Sequence, residues 1–388
     1  MLKDIMAETK IDSSSTWKFT TSEIKDIDIK NGRHNTLSLK VSIDSVFYVP
    51  LETNDNCLIG KIDNIYQDAK NIIIADNRFA KEVFVFDRKG KFLSKISDLG
   101  DGPKQYRSIT ATAVNFESHE IRILDRISNK ILTFNFHGNL LKADPLHLLF
   151  TEMAFTGRGS EMILSNSGEL NSHIKEIESY NLIKIANNKL LGKSFPFDRN
   201  QSGAGYSFQN AKNLAFSDKN IYYSPKLSDF IYQVSSDSIS AKFHLNFNGK
   251  GFTKKDRENL NDITYKKRMN ENEFFMFNGD FSVNSEYVYL KILNKQAVFA
   301  CLYNKKHSLS MSFANIMADH DRVVLFNFPY TGYKNFFVSP LLATEMFKTQ
   351  TNLKKFKKSA EIVSLYNKVK ADDNPVLMFY SFKQNPKL

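Results

Sequence analysis

A repeat with a period of 48 residues constrains the fold of this chain more than any other feature of its sequence. Segments 71–93 and 120–141 each contain an apolar stretch that ends in Asp, then a second apolar stretch that ends in Phe-Asp or Phe-Asn. A glycine follows three residues later, and these glycines, Gly90 and Gly138, are also 48 residues apart. A period of roughly 40–50 residues with several short strands per unit is typical of β-propeller blades.

The two glycines of the repeat predict tight hairpin turns. Gly90 and Gly138 each stand between two strand-like stretches. Glycine adopts a positive φ without a steric penalty, and turns of that kind join neighbouring antiparallel strands. The chain also has 33 Phe and 16 Tyr, residue types that favour strands. An all-β fold of antiparallel meanders is therefore expected.

Further units continue the pattern with lower similarity. Their anchor residues are spaced by 48, 51, 49 and 69 positions and are Phe86, Phe134, Ile185, Val234 and Tyr303. A strand-like segment at 322–328 begins a partial sixth unit. We predict a single six-bladed β-propeller of four-stranded antiparallel blades over residues 41–385. Residues 1–40 are predicted to form a partly flexible N-terminal extension.

Two insertions interrupt the later units. Residues 253–272 account for the long interval of 69 positions, are rich in charge and predict a short helix in blade five. In the last unit, residues 340–370 predict one or two helices, because Phe356, Ala360 and Val363 recur at helical spacing. The fold class is thus a propeller with short helical insertions in blades five and six.

The partial last blade needs an outer strand, because an open sheet edge promotes aggregation. The segment 45–50 is strand-like and precedes the first full unit, so it is available for this position. We predict that it pairs with the strand at 376–382 and closes the ring. Pro50 lies at the end of the segment, where a missing backbone donor is tolerated.

Five short motifs occur in an order that resembles a known family. They are Val49-Pro-Leu-Glu-Thr53, Ile-Ala-Asp76, Phe86-Asp87-x-x-Gly90, Gly100-Asp-Gly-Pro103-x-x-Tyr106 and Asp373-Asn-Pro-Val-Leu377. Over about residues 40–385 the chain resembles the bacterial six-bladed β-propeller family that is abundant in gut anaerobes, whose units look like NHL repeats. The resemblance implies an exported protein of the periplasm or cell envelope, often lipid-anchored, with no assigned activity.

One loop departs from the pattern of that family. Its usual sequence is Gly-x-Gly-Pro-Gly-Glu-Tyr, whereas Lys104 and Gln105 replace Gly-Glu in this chain. The change removes an acid and adds a base. Any role that the family assigns to the glutamate does not carry over.

Propeller geometry predicts where a binding site would lie. Strands alternate in direction from the innermost strand A to the outermost strand D, so B–C loops and D–A connections share one face with the channel mouth. Loops around Asn166, 199–206 and 225–226 belong to this face. The candidate ligand-binding residues on it are Asp76, Arg78, Lys104, Tyr106, Arg107, Asp125 and Arg126.

The repeated Asp-x-Arg or Asp-Arg element has two interpretations. Arg78, Arg107 and Arg126 could form a cluster of guanidinium forks for a carboxylate, sulfate or phosphate. Alternatively, Asp76 and Asp125 accept backbone N–H groups in their own turns, while each arginine pairs with a neighbouring blade. The structural interpretation is favoured, because the element recurs with the repeat.

Catalytic alternatives have less support. A calcium- or zinc-dependent propeller hydrolase or lyase would hold its metal in the channel, and Asp76, Asp125 and Asp319 are the candidate calcium ligands. Nothing in their spacing requires a metal, and no cofactor is predicted. His320 is flanked by Asp319 and Asp321, but a turn before the next strand explains this arrangement equally well. No Gly-x-Ser-x-Gly or Walker-type motif is present.

A basic segment raises a third function class. The net charge is +11, and residues 348–370 contain seven Lys and one acid, Glu361. Binding of nucleic acid or another anionic polymer could use the pairs at 354–355 and 357–358. A solvated helix face explains the same composition and is favoured.

The remaining features concern the compartment. Cys57 and Cys301 are too few and too distant for a disulfide framework and are expected to be buried thiols. No run of 18 apolar residues predicts a transmembrane helix. Residues 1–16 are polar and predict no signal peptide. The sequence therefore predicts a non-enzymatic binding or scaffold propeller of the cell envelope, with a small molecule, glycan or protein as its unidentified ligand.

Overall fold

The computed structural model describes most of the chain. The described ranges are 17–20, 22–166, 168–187, 189–197, 212–225, 227–258, 261–295, 297–317, 327–353, 360–384 and residue 386. Several predicted features lie outside them. These are loop 199–206, Lys226, the segment 319–322 with His320, and residues 354–358 with both lysine pairs and Phe356.

The elements follow one another in an almost purely β order. The N-terminal segment contains β1 (Lys18–Phe19), β2 (Lys25–Asp28), β3 (Thr36–Ser38), α1 (Leu39–Ser42) and β4 (Ile43–Pro50). Blade one has β5 (Asn64–Gln67), β6 (Asn71–Asp76), β7 (Glu82–Asp87) and β8 (Phe92–Ile96). Blade two has β9 (Ala111–Asn115), β10 (Glu120–Asp125), β11 (Lys130–Asn135) and β12 (Leu140–Pro145). Blade three has β13 (Glu152–Phe155), β14 (Met162–Ser165), β15 (Tyr180–Ala186) and β16 (Lys189–Pro196), with a short 3-10 helix at Lys175–Ile177.

The second half of the ring repeats this plan. Blade four has β17 (Leu214–Ser217), β18 (Asn220–Tyr223), β19 (Phe230–Val234) and β20 (Ser238–Asn246), followed by α2 (Lys254–Glu258) and α3 (Asp262–Met269). Blade five has β21 (Met276–Val283), β22 (Tyr287–Asn294), β23 (Ala297–Asn304) and β24 (Leu309–Phe313). After β25 (Asn315–Met317), blade six has β26 (Thr331–Tyr333), β27 (Phe336–Leu341) and β28 (Val376–Phe382), with α4 (Ala343–Leu353) and α5 (Ala360–Lys368) between the last two.

The predicted six-bladed propeller of four-stranded antiparallel sheets is confirmed. The first strand of each blade is the innermost. Strand β9 contacts β13, β17 contacts β21 and β26, and β26 contacts β5 around the central channel. Apolar side chains from facing sheets fill the spaces between blades, and each large side chain removed from water contributes about 1.5–3 kcal/mol.

The glycine turns of the repeat have the predicted positive φ. Gly90 has φ +84° and Gly138 has φ +81°. A Cβ atom on Gly90 would lie 2.0 Å from the backbone oxygen of Pro50, and one on Gly138 would lie 2.3 Å from that of Lys95. Both glycines therefore let a C–D turn pack directly on the outer strand of the preceding blade.

An N-terminal strand completes the sixth blade. Strand β4 pairs antiparallel with β28, from Pro50 opposite Val376 to Ile43 opposite Phe382. The outer strand of blade six thus comes from the N-terminal part of the chain, whereas the other three strands of this blade come from the C-terminal part. Ring closure joins residues that are more than 300 positions apart.

The N-terminal segment adds structure that the sequence did not predict. Strands β1 and β2 pair in parallel with β20 and extend the sheet of blade four. Trp17 is 2% exposed, and its Nε1 donates a hydrogen bond to the Ser235 oxygen. Strand β3 pairs with β25. The described part of residues 17–42 therefore forms a belt along the outer edges of blades four and five.

Both insertions contain helices. Residues 253–272 form two short helices, α2 and α3, instead of one, and they connect blade four to blade five. Helices α4 and α5 lie within 340–370, and the buried side chains of Met346, Ile362 and Tyr366 dock them on the propeller. None of the helices in the described ranges has the length and apolar character that a membrane span needs.

The two cysteines are buried free thiols, as predicted. Cys57 packs near the closing strand, and Cys301 packs between blades four and five. Burial raises the pKa of the Cys301 thiol to about 12. A thiol with so high a pKa is not a reactive nucleophile at neutral pH.

Candidate binding site at the channel mouth

The two faces of the ring are built differently. B–C loops and D–A connections lie on one face, which we call the loop face. A–B and C–D turns lie on the other, the turn face. The turns are short, the longest being residues 156–161, whereas the connections on the loop face include both helical insertions.

The repeated aspartates hold the connections of the loop face together. Asp76 is fully buried, and its Oδ2 accepts the N–H groups of Gly60 at 2.9 Å and Lys61 at 2.8 Å. Its Oδ1 accepts the N–H groups of Arg78 and Phe79 in the following turn. One carboxylate therefore ties the D–A connection that enters blade one to the B–C loop of the same blade.

Asp125 has the same role in blade two. Its carboxylate accepts the N–H of Arg107 at 2.8 Å, the hydroxyl of Ser108 at 2.8 Å, and the N–H groups of Ile127 and Ser128. Burial alone would raise the pKa of Asp125, but these hydrogen bonds outweigh it and lower the pKa below its ordinary value. The hydrogen bonds agree with the structural interpretation of the repeated aspartates.

The three candidate arginines face three different carboxylates. Arg107 Nε lies 2.5 Å from Asp101 Oδ1, and Arg126 Nη2 lies 3.0 Å from Glu169 Oε2, which belongs to the neighbouring blade. Arg78 Nε lies 3.6 Å from Asp63 Oδ1. Each guanidinium thus lies beside a different carboxylate, and the three do not form one cluster around a common ligand position.

The other two candidates in this region differ in exposure. Lys104 is exposed at the tip of its loop. Tyr106 is fully buried, and its hydroxyl donates to the Lys81 oxygen at 2.7 Å. Tyr106 therefore fastens the connection between blades one and two to the B–C loop of blade one.

A cluster of charged side chains that no sequence motif marks surrounds the end of the channel. Four of its five members lie in an innermost strand or directly before one, and the fifth lies in the second strand of blade five. The members come from four different blades. We call it the channel-mouth cluster, and it consists of Asp63, Glu152, Lys212, Asp280 and Lys291.

Lys212 is the central member of the channel-mouth cluster. Its Nζ donates to the backbone oxygen of Asp63 and lies 5.0 Å from the ring centroid of Tyr330. Its backbone N–H donates to Asp280 Oδ1 at 3.4 Å. Burial lowers the pKa of Lys212, while the carboxylates of Glu152, Asp63 and Asp280 counter this effect. A single residue of blade four therefore contacts blades one, five and six.

Glu152 and Asp280 are held in place by different donors. Glu152 accepts the N–H groups of Asn213 at 3.0 Å and Leu214 at 3.2 Å, across the boundary between blades three and four. Burial raises the pKa of Glu152 to about 7. Asp280 Oδ2 accepts a hydrogen bond from Lys291 Nζ at 3.1 Å.

Asp63 links the channel-mouth cluster to one predicted site residue. Its carboxylate accepts the N–H of Asn77 at 2.9 Å and lies 3.6 Å from Arg78 Nε and 3.8 Å from Lys61 Nζ. Arg78 is therefore the candidate that the structure places beside the channel mouth.

Two aromatic rings stand beside the lysines and remain accessible. Tyr330 is 38% exposed and Phe328 is 41% exposed. Lys291 Nζ lies 5.7 Å from the centroid of Phe328, so each lysine of the channel-mouth cluster is paired with a ring. Cations, carboxylates and flat rings together can bind a polar ligand that has an apolar side.

Exposed apolar side chains also occur on the loop face. Phe79 is 70% exposed and Ile127 is 60% exposed, both in B–C loops, and Leu58 and Leu99 are exposed in D–A connections. In the described ranges, the A–B and C–D turns contain no exposed large apolar residue. Exposed apolar loops are a common property of interaction surfaces.

The metal-dependent alternative gains no ligand set from the described residues. No group of three His, Cys, Asp or Glu side chains in them is arranged to hold a metal ion. Asp319, one of the three candidate calcium ligands of this alternative, lies outside the described ranges.

Comparisons with known proteins agree with the fold. A family model for a domain of unknown function, DUF4934, matches residues 24–381. A crystal structure of a "putative exported protein" from Bacteroides fragilis has a TM-score of 0.72 at 14% identity, and covers 93% of this chain and 100% of that one. A member of the DUF4221 family from Bacteroides vulgatus has a TM-score of 0.50 at 10% identity, and covers 88% of this chain and 97% of that one. No curated protein matches the chain.

Proposed function

The chain belongs to the DUF4934 family, a domain of unknown function, and we propose that it is a non-enzymatic binding propeller of the cell envelope. Its ligand, a small molecule, a glycan or a protein, binds on the loop face where the channel opens. The channel-mouth cluster is the observation that carries this proposal.

The arrangement of the cluster favours binding over a purely structural role. Charged groups that serve only to join strands would pair one to one, as Lys95 and Glu82 do within blade one. At the channel mouth, in contrast, Asp280 accepts hydrogen bonds from the Lys291 ammonium group and from the Lys212 backbone N–H, and the ammonium group of each lysine also lies beside a partly exposed aromatic ring. Partly buried charges with an accessible side are typical of functional sites.

The envelope location is supported by one structural relative. The protein from Bacteroides fragilis that shares this fold is described as exported. Its identity to this chain is 14%, so the likeness itself concerns the fold. Detection of the native protein in an envelope fraction, and its removal by protease from intact cells, would test this part of the proposal.

The binding face can be tested with lysine footprinting. Lysines are acetylated with and without polygalacturonate, dextran or a mixture of peptides, and mass spectrometry measures each site. Lys61 and Lys104 report on the loop face, whereas Lys89 and Lys219 are exposed controls in the turns of the other face. We expect at least one probe to protect the loop-face lysines and to leave both controls unchanged.

Three outcomes would contradict the proposal. Protection confined to Lys89 and Lys219, or no protection by any of the three probes, would argue against a site on the loop face. Turnover of a lactone, glycan or peptide that a chelator abolishes would replace the binding function with the metal-dependent hydrolase or lyase.

A further inference from the structure

We propose that the channel-mouth cluster binds the carboxylate of an acidic sugar, with Lys212 and Lys291 holding the carboxylate and the rings of Tyr330 and Phe328 supporting the sugar. The inference names the ligand class of the site and rests on the proposed function. The hydrogen-bonding capacity of the two lysines, the charge of the cluster together with Lys61 and Arg78, and the aromatic rings beside the lysines each support it.

Hydrogen-bonding capacity is the first argument. The ammonium group of Lys212 carries three donors. Within the part of the chain that the structure describes, one protein acceptor, the Asp63 backbone oxygen, lies within hydrogen-bond distance of it. Lys291 Nζ similarly donates to Asp280 Oδ2. Among the described residues, both ammonium groups therefore retain donors for the oxygens of a ligand.

The charge balance at the channel mouth is the second argument. Lys61 and Arg78 flank Asp63. Counted over the described residues, the channel mouth therefore contains four cations, Lys61, Arg78, Lys212 and Lys291, and three carboxylates, Asp63, Glu152 and Asp280. The excess of one positive charge becomes two when Glu152 is protonated. A partly desolvated site with a positive excess attracts an anion.

The aromatic rings indicate that the ligand has an apolar side in addition to its negative charge. A bare anion would need only the lysines, because an ammonium group acts as a point charge without geometric preference. Tyr330 and Phe328 are each partly exposed, and each ring lies next to one of these lysines. An exposed ring in this position suits the apolar side of a pyranose ring whose carboxylate extends towards the ammonium groups.

Glu152 makes the affinity of the site dependent on pH. The charged groups that act on Glu152 are Lys212 and Asp280, while Tyr66 and Tyr223 are uncharged neighbours. Because burial raises the pKa of Glu152 to about 7, the carboxylate takes up a proton as the pH falls from 8 to 6. Loss of that negative charge strengthens the binding of an anion, so affinity for the acidic sugar rises as the pH falls.

Isothermal titration calorimetry with matched ligands and variants tests the inference. D-glucuronate and D-glucose differ at one carbon, and inorganic sulfate provides an anion without a sugar ring. We expect glucuronate to bind at least tenfold more tightly than glucose and more tightly than sulfate. Affinity for glucuronate is expected to rise about threefold from pH 8 to pH 6, and Glu152→Gln should abolish this dependence.

The variants locate the ligand. Lys212→Met and Lys291→Met should each weaken glucuronate binding about tenfold. Lys219→Met, at an exposed lysine in a turn of the other face, should leave it unchanged. Thermal melting of each variant verifies folding, and Lys291→Met decides the question if Lys212→Met does not fold.

Equal binding of glucose and glucuronate, or unchanged binding by both lysine variants, would overturn the inference. A failure of the proposed function can be distinguished from a failure of this inference. If dextran or peptides protect the loop-face lysines while glucuronate does not bind, the acidic sugar is wrong and the loop-face site stands. If no probe protects the loop face, both proposals are wrong.

Discussion

The loop face and the turn face belong to the same blades but differ in how their connections are stabilised. On the turn face, short turns with left-handed residues such as Gly90 and Gly138 pack against the preceding blade. On the loop face, buried carboxylates such as Asp76 and Asp125 hold longer segments by their backbone N–H groups. Connections held from within by a carboxylate leave their outer side chains available for a ligand.

Because of this difference, we expect the stability of the fold and the binding of a ligand to depend on different faces of the ring. The turn face determines how neighbouring blades fit together, so its variants should change the free energy of unfolding and leave ligand binding intact. The outer residues of the loop face should behave in the opposite way.

Gly90→Ala should have the largest effect, a loss of about 3 kcal/mol in the free energy of unfolding. The new Cβ would meet the Pro50 oxygen at 2.0 Å on a backbone with φ +84°. Gly157→Ala is the control, because Gly157 has φ +85° but no atom lies within 4 Å of the place that its Cβ would take. We expect about 1 kcal/mol there. Equal losses in chemical denaturation would show that contact between blades is unimportant.

Asp125→Ala should cost about 2–3 kcal/mol, because it leaves several donors of the loop face unpaired. Asp101→Ala, at a side chain that is 77% exposed, should cost less than about 0.5 kcal/mol. The lowered pKa of Asp125 stabilises the fold above its unfolded pKa, and this contribution is lost as the pH falls through the folded value. The difference between Asp125→Ala and the wild type should therefore shrink in acid, as denaturation at a series of pH values would reveal.

Glu152→Gln should change the pH dependence of stability more than stability itself. The pKa of Glu152 is about 7 in the fold, above its unfolded value, so the folded state holds the proton more tightly. Stability of the wild type should fall as the pH rises from about 5 to 7, by about 1 kcal/mol for a partly exposed group. The variant should lack this decline. Parallel melting curves for the two proteins across this range would contradict the prediction.

Phe79→Ser should have the smallest effect on folding, within about 0.5 kcal/mol of the wild type, because the ring is 70% exposed. Its effect on a ligand of the loop face would be larger if that ligand extends beyond the channel mouth. Phe84→Ser, at a fully buried ring in the same blade, is the control and should destabilise the protein strongly. Similar melting temperatures for the two variants would contradict the assignment of an exposed outer surface.

The periodic parts of the fold could be predicted from the sequence, because they repeat. The strands that end at Asp76 and Asp125 and the turns at Gly90 and Gly138 follow one pattern. Strands β1 and β2 follow no pattern of the repeat. Strand β2 is the polar sequence Lys-Asp-Ile-Asp, and only the open edge of blade four makes it a strand.

The channel-mouth cluster could not be predicted for a related reason. Lys212, Glu152 and Asp280 come from different blades and do not recur with the period of the repeat, so the repeat does not mark them. Their proximity results from ring closure. The signal that was available is their position within innermost strands or directly before them, for example Glu152 in β13. The repeated aspartates are visible in the sequence because their structural role recurs in successive blades.

Hydrogen–deuterium exchange with and without D-glucuronate tests the central claim most directly. We predict that the ligand slows exchange in the backbone at 61–63 and 212–214, on the loop face. The turns at 88–91 and 305–308 on the opposite face should exchange at the same rate with and without it. Slower exchange in those turns, with no change at 61–63 and 212–214, would contradict a binding site at the channel mouth.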